Sequence, residues 1–566
     1  MTTQRKALAA LGVTCLLASA HCVQAQTLPD AGSLSQQLER GLTQPLPPVA
    51  PPSEPTRVTQ PRAPQGLTLE VRGFKFKGNR LLSDQTLAAA VAGFLNRPIG
   101  FAQLQEAAVA AATSYRAAGW VVRAYIPEQD FVDGQVTIEL VEAVFGKLRQ
   151  EGPVPRRIPL PLIENIVGTQ QRPGEPIKLD AIERATLLVE DLPGITATVR
   201  LLEGEQDRST DLLFKATDRS VLTGDAALDN TGSRSTGAQK VAVNLSANSL
   251  LQRGDLLSTN VSASEGSQYL RLGATLPYGG DGLRLGVNAS RMEYRVILSD
   301  VSQLSPNGSA TTYGLDARYP IIRSRLKNLY FTATADDKRY ENFSAGIIST
   351  AYINQSLTLG LSANTFDAWM GGGTNNVSLN WTTGQINLDG SPNQGADASS
   401  TQTAGSYSKL RYAYSRQQAV TGSLSVTAAL SGQLASKNLD SSEKFSLGGS
   451  SGVRAYPSGE GSGTTGQMLN IDVTWRLPHG LSLTGFYDTG SITINADNSY
   501  TGASALNAYT LSGAGLALSR DFEGGRSLKA IWARRIGANP NPTATGMDQD
   551  GSKSIDRFWL TASLAF

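Results

Sequence analysis

Beyond Val221, apolar residues fall on alternate positions in run after run. Leu469, Ile471, Val473, Trp475 and Leu477 alternate with Asn470, Asp472, Thr474 and Arg476. Leu424, Val426, Ala428, Leu430 and Leu434 are set against Ser425, Thr427, Ser431 and Gln433. Leu270, Leu272, Ala274 and Leu276 are set against Tyr269, Arg271 and Thr275. Successive side chains of a strand point to opposite faces, so each run predicts a strand with one apolar and one polar face. The chain closes the same way, with Phe558, Leu560, Ala562, Leu564 and Phe566 on one face. Gly, Ser, Thr, Asn and Asp separate the runs, and helical periodicity is missing. A soluble sandwich and a membrane barrel both produce this alternation; the barrel puts lipid outside and water inside.

The first third reads differently. Leu69, Val71, Phe74 and Phe76 form a strand pattern ending at Gly78-Asn79. Ser83 is placed to cap a helix over 84–95. A second helix begins near Phe101, with Phe101, Leu104, Ala108, Ala111 and Tyr115 on one face, and Gly119 stops it. Strands follow over 121–126 and 136–141. A further helix carries Leu179, Ile182, Ala185, Thr186 and Val189 on its apolar face and ends at Pro193-Gly194. Upstream, Ser33 to Leu42 predicts a short polar helix with only Leu34 and Leu38 to bury, which needs a host surface. Proline then recurs from Pro45 to Pro64, the mark of a semi-rigid tether, with an idle disordered linker as the alternative.

One segment fits neither pattern. Glu443 to Gly466 is rich in Gly and Ser, carries one Arg and one Tyr, and lies between two strand runs. A hairpin needs only a tight turn, so a connection this long predicts a functional loop. In Leu481 to Asp488, Leu481, Leu483 and Tyr487 share one face, while Ser482, Thr484, Phe486 and Asp488 share the other. In a barrel the second face is the lumen, which aims Asp488 inward as a partner for Arg454. Arginine suits a planar two-bond clamp on a carboxylate.

Composition narrows the classes. The sequence has 566 residues and a net charge of +2, which predicts several domains and no nucleic-acid footprint. Arg5-Lys6, the apolar run Ala7 to Ala18, and Val23-Gln24-Ala25 predict a secretory signal over 1–25. His21 before Cys22 argues against a lipoprotein signal. Both cysteines, Cys15 and Cys22, fall in that segment, which leaves His479 as the one histidine outside it. Disulfides, thiolate chemistry and a histidine metal site are thereby disfavoured, and no cofactor is expected. No later apolar run reaches the length of a membrane helix. A single histidine supports no coherent catalytic triad, so an enzyme is not expected.

The motifs carry a resemblance. Phe76-Lys77-Gly78-Asn79, Tyr115-Arg116-Ala117-Ala118-Gly119-Trp120, Pro127-Glu128-Gln129 and Gly134 to Glu142 resemble the first POTRA domain of two-partner secretion transporters (the TpsB family). Residues 144–218 resemble a second POTRA domain. Val453-Arg454-Ala455-Tyr456 is similar to the family's Val-Arg-Gly-Tyr signature, with Ala455 where glycine is usual. Thr464 stands where the family tends to have Asp. Phe486-Tyr487-Asp488-Thr489-Gly490 resembles the barrel-wall partner motif. Four further stretches are family-like: Leu228 to Gly232, Arg253 to Asp255, Tyr319 to Ser324 and Trp532 to Gly537.

The resemblance implies a transmembrane antiparallel β-barrel of about sixteen strands preceded by two α+β POTRA domains. It divides the chain into a signal (1–25), an N-terminal plug helix (26–43), a linker (44–66), POTRA 1 (67–143), POTRA 2 (144–218) and a barrel (219–566) whose loop 435–466 folds inward. It implies location in a Gram-negative outer membrane with periplasmic POTRA domains, and secretion of a large TpsA-type exoprotein such as an adhesin or haemolysin. Outer-membrane lipid, periplasmic chaperones and the barrel-assembly machinery are expected as further partners. The implied site is Val453, Arg454, Ala455 and Tyr456 in the loop against Phe486, Asp488 and Gly490 in the wall. Client contacts are expected around Tyr115, Gly119, Trp120, Pro127 and Gln129. The competing reading is an outer-membrane assembly factor; those chains usually carry more POTRA repeats and lack the tethered helix. A passive porin or adhesin leaves the POTRA pair unexplained.

Overall fold

The computed structural model of the chain describes residues 29–40, 45–49, 68–131, 133–206, 208–298 and 304–566. The expected signal and most of the proline-rich linker lie outside them. Helix α1, Ala31–Arg40, comes first. The first α+β module follows. Its helices α2 (Asp84–Val91) and α3 (Phe101–Ala117) cover a sheet of Gly73–Lys77, Gln135–Glu142 and Val122–Tyr125. Ser83 caps α2 by accepting from the Thr86 amide at 3.3 Å. The expected helix to residue 95 stops short: α2 ends at Val91 and a 3-10 turn carries the chain over Ala92–Phe94.

The second module packs α4 (Leu160–Gln170) and α5 (Leu179–Glu190) on Val144–Gln150, Ser209–Asp218 and Ile195–Glu203. Its core includes Ile163, Ile166, Ala185, Val189, Leu212 and Phe214. Two expected core positions are corrected. Phe101 and Leu179 are exposed. Each is the first residue of its helix, where the 3.6-residue period continues to a position the sheet no longer covers. The buried stripe of α3 is instead Leu104, Ala107, Ala108, Ala111, Ala112 and Tyr115.

Sixteen antiparallel strands then close into one barrel, from Leu222–Asp229 to Asp556–Ala565. Closure runs from Thr561 opposite Asp229 to Ala565 opposite Asp225. Beyond that register the Asn230 side chain continues the pairing, donating to the Phe558 carbonyl at 2.9 Å and accepting from the Leu560 amide at 2.8 Å. A closed barrel leaves no sheet edge unpaired, as a hydrocarbon surround requires. The outside decides between barrel and sandwich. Leu270, Leu272, Val287, Leu315, Leu361, Trp381, Val473, Trp475, Leu516 and Leu560 are exposed on the outer face. Their inward neighbours, among them Asn288, Thr382, Gln433 and Asp488, are polar and buried. A slip of one residue would turn Asp488 into the lipid, so this alternation fixes the register.

The second module docks on one end of the barrel through the Tyr319 to Ser324 stretch. Arg323 makes two 2.8 Å bonds to the Asp191 carboxylate. Arg184 donates to the Pro320 carbonyl at 2.8 Å and to Asp281 at 3.0 Å, and Tyr319 also bonds Asp281. The module therefore faces the barrel in a defined orientation.

Candidate functional site

The strands Leu424–Ala435 and Thr465–Arg476 pair with each other in the wall, and the long loop between them folds back into the lumen. Inside the loop a two-stranded ribbon pairs Phe445–Ser446 with Ser462–Gly463. Past this neck the chain turns tightly: Val453 donates to the Leu447 carbonyl at 2.7 Å and Tyr456 to the Val453 carbonyl at 3.0 Å. That turn presents Arg454 to the wall.

Arg454 meets two carboxylates. Its Nε and Nη2 donate to the two oxygens of Asp488 at 2.8 and 2.7 Å, and its own amide adds a third bond at 3.0 Å. Nη2 also reaches Asp472 at 2.6 Å. Asn470 supports the acid, donating to Asp488 at 2.7 Å and to the Gly452 carbonyl at 3.0 Å. The guanidinium carbon lies 3.6 Å from the centre of the Phe486 ring, a stacking that favours the cation over water. Asp488 is fully buried. Burial alone pulls the Arg454 pKa down, but the bonds to Asp488 and Asp472 outweigh it and raise it above the usual arginine value. The clamp is thus a charged pair held by several charge-assisted hydrogen bonds, the form in which a buried charge is stable.

Every residue of the expected loop and wall motifs is here. Val453, Ala455 and Tyr456 are buried in one cluster with Phe486. Tyr456 lies under Arg535, whose guanidinium carbon is 4.7 Å from the ring centre. Gly490 leaves room for the loop: a Cβ there would come within 2.7 Å of Leu447. The alanine at 455 is accommodated for a parallel reason. Its φ is not left-handed. Its methyl faces Gly513, where a Cβ would approach it to 2.5 Å. Thr464 carries no acid role. Its hydroxyl accepts from the Leu439 amide at 3.3 Å and its carbonyl from Gln433 at 2.9 Å, closing the neck.

Three anchors were missed in the sequence. Asp472 is the second carboxylate; its place among the polar, inward positions of its strand was the available signal. Trp559 donates its indole N–H to the Arg454 carbonyl at 2.8 Å from the closing strand. Its parity against Phe558 and Leu560 marks it as inward. Glu460, on the returning limb, accepts from Asn539 and from the Gln549 amide, both at 2.8 Å. Burial pushes its pKa up to about 7, and neighbouring Asp548 and Asp550 push in the same direction.

The first helix sits in the same lumen. Ala31 and Leu34 of α1 are buried against Tyr269, Met292, Tyr294, Tyr340 and Tyr352 of the wall. Glu39 pairs with Lys338 at 3.2 Å, and the Ala31 amide donates to Asn342 at 2.8 Å. The polar helix thus finds its host surface inside the barrel.

The expected client contacts divide. Tyr115 is corrected to a core residue: it is fully buried and donates to Glu142 at 2.8 Å, while Glu142 holds the Arg80 and Leu81 amides at 2.7 Å. Gly119 takes a φ of 85° where α3 ends, a conformation that favours glycine. Trp120 lies at the joint between modules, with the Lys178 ammonium 5.3 Å from its ring centre. Gln129 bonds both backbone groups of Thr137, at 2.7 and 2.9 Å, and also donates to the Pro127 carbonyl at 3.4 Å.

Comparison with known proteins agrees with this architecture. Residues 208–519 match the family described as haemolysin secretion/activation protein ShlB/FhaC/HecB. The chain belongs to this family. Residues 69–143 match the ShlB-type POTRA domain. The heme/hemopexin transporter protein HuxB of Haemophilus influenzae is 23% identical over 562 residues, covering 96% of each chain. The outer membrane transporter CdiB of Dickeya dadantii is 24% identical over 73% of each. In fold, CdiB from Escherichia coli superposes with a TM-score of 0.69 at 19% identity, covering 95% of this chain and 99% of that one. BamA from Haemophilus ducreyi lacking POTRA domains 1–3 gives a TM-score of 0.54 at 15% identity, with 88% and 100% covered. The protein is an outer-membrane transporter of two-partner secretion, with periplasmic POTRA domains and a secreted exoprotein partner. The family consists of transporters rather than enzymes. The likeness to BamA is one of fold, so the assembly-factor reading is the less favoured.

Proposed function

We propose that α1 and the inward loop hold the pore shut at rest, and that both yield when an unfolded exoprotein is delivered by the periplasmic modules. The observation that carries this reading is the filling of the lumen by α1 from one side and by the Arg454 loop from the other, inside a barrel whose periplasmic turns hold the second module. The proline-rich tether gives the helix somewhere to go. Delivery through added strands suits the modules better than contacts around buried Tyr115. Strand Ile195–Glu203 lies at a sheet edge and leaves Leu201 and Leu202 exposed, a template for an extended segment. Periplasmic chaperones would keep the client unfolded, and the barrel-assembly machinery would insert the transporter. With no ATP in the periplasm, folding of the client outside supplies the direction. The name of HuxB adds a haem- or hemopexin-related cargo to an adhesin or haemolysin as candidate classes. No metal or cofactor enters this reading.

The test is co-expression with a large secreted exoprotein identified as the candidate partner. The full chain is expected to release it to the medium. A chain lacking residues 68–218 is expected to leave it in the periplasm at equal barrel level. Equal release without the modules would contradict their role.

A further inference from the structure

Two of the loop's anchors are charged clamps on the wall, and α1 bears directly on one of them. The tip clamp is Arg454 on Asp488 and Asp472. The second lies nearer the start of the loop, at the 3-10 turn Ser441–Glu443. The Glu443 carboxylate pairs with Lys409 of the wall and accepts from Asn354 at 2.7 Å. The Glu443 carbonyl accepts from Gln433 and Lys409, both at 3.1 Å. Arg411 donates to the Lys444 carbonyl at 3.2 Å. All of Glu443, Lys409, Asn354 and Gln433 are buried. Burial raises the Glu443 pKa, but Lys409 and Lys338 more than offset this and hold the carboxylate below its usual range.

Helix α1 lies directly on this clamp. Gln36 donates to the Ser442 carbonyl at 2.7 Å and Arg40 to the Lys444 carbonyl at 2.9 Å. Gly32 fits against the same turn, where a Cβ would come within 2.8 Å of Ser441 and 2.6 Å of the Tyr352 hydroxyl. Tyr352 in turn donates to Asp440, which caps the turn through Ser442. The turn that carries Glu443 therefore lies directly under the helix.

We propose that the Ser441–Lys444 turn couples the plug helix to the inward loop, with Glu443 as its positioning residue. The coupling rests on α1 acting as a plug. While α1 is in the lumen the Glu443 clamp stays dry and strong. When the helix leaves, the turn loses two backbone hydrogen bonds and its cover, water reaches the ion pair, and the base of the loop loosens before the tip. Linkage makes this reciprocal: whatever weakens the clamp also weakens the hold on α1.

The experiment uses the full chain with Ser442→Cys as a reporter. The sequence has no cysteine after Cys22, so the new thiol is unique in the barrel. A membrane-impermeant maleimide is expected to label it about tenfold faster once α1 is removed, and faster also in the Gln36→Ala/Arg40→Ala chain, as the local opening becomes more populated. In planar bilayers Glu443→Gln is expected to lengthen the open time with α1 still present. The helix-side pair leaves the wall untouched, so it decides the question even where Glu443→Gln does not fold. A rise in conductance on removing α1 with no change in labelling would overturn the coupling and leave the plug standing. Unchanged conductance on removing α1 would overturn both.

Discussion

Arg454→Ala is expected to reduce release of the exoprotein to background while the barrel still reaches the outer membrane in normal amount. The arginine makes four bonds to two carboxylates, three of them to Asp488, which is fully buried. Alanine keeps the amide bond and removes the other three. It leaves Asp488 charged, dry and supported by one backbone amide and Asn470. Removing one partner of a buried pair costs about 3–5 kcal/mol, a hundredfold or more in the population of the docked loop. The stacking on Phe486 goes as well. None of these bonds belongs to the strand ladder, so the wall persists. Heat-modifiable migration reports the folded barrel, and the medium reports secretion. Asp488→Asn has the same direction with a smaller effect, because the amide still accepts one hydrogen bond. Normal secretion by Arg454→Ala at normal barrel level would remove the clamp from the mechanism.

Removing residues 29–40 is expected to raise channel conductance several-fold in planar bilayers. A helix is about 10–12 Å across with its side chains, comparable to the space a hydrated ion path needs. Its departure uncovers a wall lined by tyrosines and by Lys338, which loses its Glu39 partner. That surface is wettable, so water fills it rather than the wall collapsing inward. Secretion is expected to persist, since the loop tip and the modules are intact. An unchanged conductance would mean that the loop alone closes the pore.

Much of the barrel and of the tip clamp is legible in the sequence. Strand faces follow from alternation, and counting from Leu481 aims Asp488 inward at Arg454. The same count places Asp472 and Trp559 in the lumen, but nothing in a single strand says what stands opposite an inward residue. That depends on how a long loop folds back. Glu443 stays hidden for the same reason, since a glutamate in a Gly-Ser loop reads as solvated until Lys409 and Asn354 surround it. Ala455 is a case in which the resemblance raises a concern that local geometry answers: glycine is usual at the tip, yet the free space lies on the wall at Gly513. The helices show in their period, but the period does not reveal that Phe101 and Leu179 run past the cover of their sheets. Tyr115 lies in a stretch that resembles the family's, and in the fold it bonds Glu142, which in turn holds the Arg80 and Leu81 amides, a packing role that its period alone does not reveal.

The central claim is that the exoprotein passes through the lumen of this barrel. Its most direct test is site-specific photo-crosslinking to an exoprotein stalled during secretion. The probe is placed at Ser431, which faces the lumen, and separately at Leu430, its neighbour on the exposed outer face. Crosslinks to the client from position 431 and none from position 430 are the expected result. Equal crosslinking from both positions, or from 430 alone, would contradict passage through the lumen.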